Sequence, residues 1–101
     1  MDIKTTIEGT SATIALAGTL TVASAPDLEA AFSELPEGVN DITLDLTDLA
    51  YVASAGLRVI VAQDKKAHQA GGAVRLVNPA DDIMEVLDVT GLVDILEIVQ
   101  R

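Results

Sequence analysis

A chain of 101 residues, half of them hydrophobic, is long enough for one domain with a packed core, and we take residues 1–101 as that domain. Its formal charge of −10, from 6 basic and 16 acidic residues, argues against nucleic acid and against an anionic membrane surface, both of which need a basic face. The absence of cysteine removes disulfides and thiolate chemistry. No apolar run approaches the roughly 20 residues that span a bilayer, and MDIKTTIEGT lacks a signal-peptide pattern, so the cytoplasm is the expected location, with no direct membrane insertion.

The chain opens on DIKTTIE, whose alternation predicts a strand. EGTS follows as a turn and ATIALAG as a second strand, so a β-hairpin leads the domain. In TLTVASAPDLEAAFSELPEG, Ser24 is placed as a helix N-cap, with Pro26 and Asp27 in the first turn. Leu28, Ala31, Phe32 and Leu35 recur at helical spacing, and Pro36 and Gly38 stop the helix. DITLDL predicts a short strand. A helix from about Ala55 to Ala70 comes next, closed by Gly71-Gly72. AVRLVN is a further strand. NPADDIMEVLDVTG offers Asn78 as N-cap, Pro79 at the first helical position, Asp81 and Asp82 in the first turn and Gly91 as the stop. VDILEIV is the last strand. Strands alternating with helices after the hairpin imply an α/β domain on a mixed, largely parallel sheet with right-handed crossovers.

In such sheets sites gather beyond the carboxyl ends of the strands. One such end is YVASAGLRVIV, where Ser54 sits at the handover from strand to helix, and the loop GTLTVASA belongs at the same end. Ser54 has no base to make it a nucleophile. The single histidine, His68, lies fourteen residues on along the same helix, ~20 Å away at ~1.5 Å per residue. ASAGL also lacks the glycine before the serine that a nucleophile elbow needs. The expectation is no catalytic residue, no cofactor and no metal. Two compatible readings remain: Ser54 as a helix cap, and Ser54 as a phosphate acceptor, since a helix N-terminus favours an anion. Gly56, costly in a helix, points to a close approach there, by a partner or by the protein's own packing.

These segments, in this order, resemble the STAS domain, and within it the stand-alone bacterial anti-sigma factor antagonists. LAGTLTVASAPDLEAAF is similar to the family's G-x-L-D-x-x-x-A-P-x-L region. ITLDLTDLAYVASAGLRVIV is similar to its strand, D-L-S/T and D-S-S/T-G-L region. GGAVRLVNPADDIMEVLDVTGLVDILEI is similar to its carboxyl-terminal half. The resemblance implies a non-enzymatic protein-binding switch. The antagonist binds an anti-sigma factor, often a GHKL-type serine kinase, and so frees a sigma factor. Phosphorylation by the kinase breaks the complex and a PP2C-type phosphatase restores it. This chain departs from the pattern in places. Ala55 stands at the usual acceptor position, Ala53 at the preceding aspartate, and Thr21 at the aspartate of G-x-L-D, leaving Ser54 as the motif's hydroxyl. STAS subunits of bacterial phospholipid-transport ABC systems carry threonine-alanine-glycine-leucine where this chain has Ser54 to Leu57, and are the alternative.

Positions 58–75 hold four of the six basic residues, Arg58, Lys65, Lys66 and Arg75: a solvated face, or a patch for an acidic partner. Projected at 100° per residue, Val59, Ile60, Gln63, Ala67 and Ala70 face the sheet. Arg58, Val61, Ala62, Lys65 and Gln69 face out. The expected partner site is Ser54, Ala55, Gly56, Leu57, Arg58, Val61 and Lys65, completed by Thr21 and Ser24, with Ser54 the candidate phosphoacceptor. Val61 alone is equally well a scattered surface residue.

Overall fold

Strand β1, Asp2–Glu8, turns through Gly9 and Thr10 into β2, Ser11–Leu20, and the two pair antiparallel with Asp2 opposite Ala17 and Glu8 opposite Ser11. Gly9 holds φ +61°, the left-handed backbone that a side chain resists. In the computed structural model, which describes residues 1–101, three helices and three parallel strands follow. They are α1 (Ala25–Ser33), β3 (Asp41–Val52), α2 (Ser54–Gln69), β4 (Ala73–Val77), α3 (Asp81–Val89) and β5 (Glu97–Val99).

The five strands lie in the order of the sequence, β1-β2-β3-β4-β5. Sequential parallel strands joined by crossovers of one hand carry all their helices on one face. Burial alternates accordingly. Ile14 and Leu16 of β2, Ile42, Leu44 and Leu46 of β3, and Val74 and Leu76 of β4 are buried, while Thr13, Thr43 and Arg75 between them keep contact with solvent. Leu28 and Phe32 of α1, Leu57 and Ile60 of α2, and Ile83 and Leu87 of α3 close the core over that face. Full burial of one such side chain is worth ~1.5–3 kcal/mol, so the helices are held chiefly by this layer. The strand order never reverses, so the sheet has no crevice of the doubly wound kind. Any site must be a surface at the helices or at the strand ends.

Several predicted elements differ in extent. Strand β3 runs on to Val52 rather than stopping at Leu46, because it carries two extra residues relative to β2. The pairing steps from Ala15–Asp45 to Ala17–Asp48, and from Gly18–Leu49 to Thr19–Tyr51. The buried residues Leu46, Leu49 and Val52 thus fall three apart, which hides the strand's period of two. Asp45 Oδ1 fastens the first bulge by accepting from Thr47 N–H (3.1 Å) and Thr47 Oγ1 (2.6 Å).

Asn78 does not cap α3. Its φ is +54°, its N–H donates to Val99 O at 2.8 Å, its Nδ2 donates to Thr47 Oγ1 at 3.3 Å, and its Oδ1 accepts from the Arg101 amide. Spent on joining the first β3 bulge, the end of β5 and the Arg101 amide, it leaves Ala80 at the cap, and α3 starts at Asp81 rather than at Pro79. Gly91 does end the helix region, at φ +76°. The predicted strand VDILEIV is half a strand. Leu92–Asp94 form a single 3-10 turn, and β5 keeps only Glu97–Val99. The stop of α2 is as read: Gly71, at φ +87°, donates to His68 O at 3.1 Å and Gly72 to Ala67 O at 2.8 Å, the paired bonds of a Schellman end.

Candidate functional site: the start of α2 and its outer stripe

Leu20 ends β2 opposite Val52, and its carbonyl accepts the Ala53 N–H at 2.8 Å. That bond holds Ala53 extended, with ψ 164°, so Ala53 is the residue outside the helix and Ser54 the first inside it. The expected Ser54 cap is therefore corrected. The Ser54 side chain makes no capping bond, stands exposed and has no hydrogen-bond partner. The Ala53 carbonyl accepts Gly56 N–H and Leu57 N–H, while the Ser54 and Ala55 amides find no backbone acceptor. A free hydroxyl at the positive end of a sixteen-residue helix is sterically open to modification.

Gly56 is buried, and its reason is internal. A Cβ built there would lie 2.6 Å from Leu20 Cδ2 and closer still to Leu20 Cγ. The glycine lets the first turn of α2 sit on the fully buried Leu20, so no external partner is needed to explain it. Leu57 likewise belongs to the core at 6 % exposure, with only an edge at the surface. Ala55 is half-buried.

The β2–α1 loop does lie beside Ser54, since Thr21 directly follows Leu20. Its polar groups, however, are turned inward on one another. Ser24 Oγ donates to Thr19 O at 2.9 Å and accepts from Thr21 N–H at 2.8 Å. Ser24 occupies the cap position of α1, but its hydroxyl makes no cap bond, and the residue is 8 % exposed. Ser24 is thus a loop brace rather than a contact residue. Thr21 is half-buried, its Oγ1 accepting from Ala23 N–H at 3.2 Å. The loop does present Val22, 76 % exposed, and Ala23 beside it, neither of which the sequence marks as a contact.

The buried stripe of α2 is Leu57, Ile60, Asp64 and Ala67. Gln63 is half-buried and Ala70 exposed, so the predicted inner face is turned slightly. The unexpected member is Asp64, 4 % exposed. Its Oδ1 accepts the Val74 N–H at 3.0 Å, and His68 Nε2 lies 3.3 Å from the same oxygen. The short β5 pairs only with residues 75–77 of β4, so the Val74 amide has no strand to bond to, and the aspartate takes that place. His68 is committed to Asp64 near the far end of α2 from Ser54.

Outside this stripe, Ser54, Arg58, Val61, Ala62 and Lys65, with the edge of Leu57, line an open groove of about 410 Å³. Its other wall is Thr90 and Leu92, just past α3, with Val89 81 % exposed beside them. The structure therefore gathers Ser54, Leu57, Arg58, Val61 and Lys65 on one surface and leaves Thr21, Ser24, Ala55 and Gly56 out of its lining. Thr90 and Leu92 were not foreseen, because they are distant in sequence and follow the glycine stop of another helix. Val61, half-buried in the groove, is part of a patch rather than a scattered residue. Arg75 does not join the basic surface. On β4 it donates to Asp41 Oδ1 at 2.8 Å, Thr43 Oγ1 at 3.2 Å and Glu97 Oε2 at 3.2 Å. Its guanidinium is held above the ordinary arginine value, chiefly by the hydrogen bond to Asp41, with partial burial opposing.

No group of three or more His, Asp or Glu side chains converges to hold a metal, and no helix is long and apolar enough to cross a membrane. The family model described as "Mlab, STAS domain" matches residues 3–99. The anti-sigma-B factor antagonist of Bacillus subtilis is 36 % identical over 83 residues, 82 % of this chain and 76 % of that protein. The anti-sigma-B factor antagonist of Staphylococcus aureus is 26 % identical over 97 % of this chain and 92 % of that protein. The crystal structure of TM1081 from Thermotoga maritima superposes with a TM-score of 0.90 at 28 % identity, covering 98 % of this chain and 86 % of that one. A family match over all but two residues at each end, on a sheet and helices that superpose this closely, makes the assignment: this chain belongs to the STAS domain family.

Proposed function

We propose that this protein is an anti-sigma factor antagonist. It binds an anti-sigma factor in the cytoplasm and so releases a sigma factor, without catalysis of its own. The observation that carries this is the likeness to the B. subtilis anti-sigma-B factor antagonist over four-fifths of the chain. The α2 groove, an apolar and basic surface on an acidic protein, supports a protein-docking role. The anti-sigma factor is a GHKL-type serine kinase, and its target here is Ser54, the exposed hydroxyl beside Ala55. A PP2C-type phosphatase reverses the modification. A phosphate at Ser54 adds ≈ −1.5 to −2 charge to the mouth of a basic groove, and so weakens docking of a partner drawn there by charge. The helix terminus tolerates that charge, so the fold survives.

The test is a pull-down from the native host read by mass spectrometry, followed by incubation with the recovered kinase and ATP and mapping of the modified residue. Recovery of an anti-sigma kinase and phosphate on Ser54 support the reading. Recovery of ABC transporter subunits alone contradicts it and favours the phospholipid-transport alternative. Phosphate on Thr21 or Ser24 contradicts the assignment of Ser54.

A further inference from the structure

We infer that the groove beside α2 receives an acidic amphipathic helix of about three turns, contributed by the protein partner. The inference rests on the reading that this face is where the partner docks, and it names the element that does so.

The groove follows the helix. Its α2 wall comes from positions 54, 57 and 58, 61 and 62, and 65, recurring at three and four residues. That spacing is the ridge one helix presents to another. The first such ridge on α2, Leu57 to Ala67, is already covered by the sheet. The second is open, and it runs over twelve residues, from Ser54 to Lys65, ~16 Å at ~1.5 Å per rise, or about three turns.

Charge then selects the occupant. The protein carries −10 overall, and its partly buried Arg75 is matched by Asp41 and Glu97. Arg58 and Lys65 are exposed at the groove with no ion-pair partner. An acidic segment is attracted here, while the surrounding acidic surface opposes it. A second copy of this chain, equally acidic overall, is disfavoured for the same reason.

Spacing selects the conformation. Arg58 and Lys65 are seven residues apart on one helix face, ~10.5 Å along the axis. A helix lying along α2 places two carboxylates seven residues apart at the same interval. An extended strand repeats on one face at ~6.7 Å and then ~13.4 Å, and neither matches. Leu57, Val61 and Leu92 lie between or beside the two cations. The docking helix therefore needs apolar side chains three and four residues after its first carboxylate.

The probe is a stapled helical peptide with two glutamates seven residues apart and leucines three and four residues after the first. A control peptide carries the glutamates on the opposite face. Amide shifts of the ¹⁵N-labelled protein should concentrate at residues 54–65 and 90–92 with the probe and be absent with the control. Arg58→Glu and Lys65→Glu should each weaken probe binding roughly fivefold, the scale of an exposed ion pair lost and reversed. A peptide with lysines in place of the glutamates should bind the double reversal better than the wild type. Shifts elsewhere, or an affinity indifferent to both reversals, overturn the inference. So do phosphatidylglycerol vesicles that give these shifts where the peptide gives none. The cognate anti-sigma factor separates the two levels. If it binds wild type and double reversal equally, the docking helix is wrong and the proposed function stands. If it fails to bind wild type while the peptide binds as described, the proposed function is wrong and the chemistry of the groove stands.

Discussion

Replacing Gly56 by alanine sets two effects of known size against each other. In an open helix the change stabilises by ~1 kcal/mol, because glycine leaves more backbone freedom to lose on folding. Here the added Cβ would stand 2.6 Å from Leu20 Cδ2. Leu20 is fully buried, so either its packed side chain or the first turn of α2 must shift. Overpacking of this kind costs ~1–3 kcal/mol, and the net expectation is a loss of up to about 2 kcal/mol. In a domain of this size that corresponds to a Tm lower by as much as ~10 °C. The assay is urea unfolding of wild type, Gly56→Ala, Leu20→Ala and the double variant. Leu20→Ala alone should cost ~2–5 kcal/mol, and the double variant should be clearly more stable than the sum of the singles, since the removed side chain is the one the new methyl strikes. A Gly56→Ala protein more stable than wild type by the ~1 kcal/mol of an open helix would refute the packing account. It would return the glycine to the role of admitting a partner.

Ser54→Ala should change stability by less than ~0.5 kcal/mol in the same assay, because the hydroxyl makes no capping bond. A loss of ~1 kcal/mol would restore the cap that the structure denies. Ser54→Asp should fold normally, its charge tolerated at the helix start, and bind the anti-sigma factor more weakly in calorimetry. Asp64→Ala should cost ~1–3 kcal/mol by leaving the buried Val74 amide unpaired, and that amide should exchange faster with deuterium. Arg58→Glu and Lys65→Glu should leave the Tm nearly unchanged, since both side chains are exposed, so that any loss of partner binding is a surface effect.

The elements that announced themselves in the sequence are those whose signal is local. The alternation of β1 and β2, the Pro26 start of α1 and the Gly71-Gly72 stop of α2 each depend on residues within a turn of one another. What stayed hidden is set by pairings across the sheet. The two bulges of β3 space Leu46, Leu49 and Val52 by threes, so a strand looked finished at its first bulge. Ala53 rather than Ser54 precedes α2 because the Leu20 carbonyl claims its amide. Asn78 had the residue type of a cap but joins the first bulge of β3 to the end of β5. Asp64 defeated the hydrophobic projection, since nothing near it in sequence signals an unpaired amide ten residues away. The candidate site divides in the same way. The exposed residues of α2 followed from helical spacing, whereas the wall at Thr90 and Leu92 depends on how α3 ends against α2.

The central claim is that this chain displaces a sigma factor from its anti-sigma factor. The direct measurement is a titration of the chain into the preformed complex of the host's sigma and anti-sigma factors, followed by native mass spectrometry. The account predicts free sigma factor and a new complex of the chain with the anti-sigma factor, both diminished when Ser54 is phosphorylated or replaced by aspartate. A sigma–anti-sigma complex left intact by excess unmodified chain would contradict it.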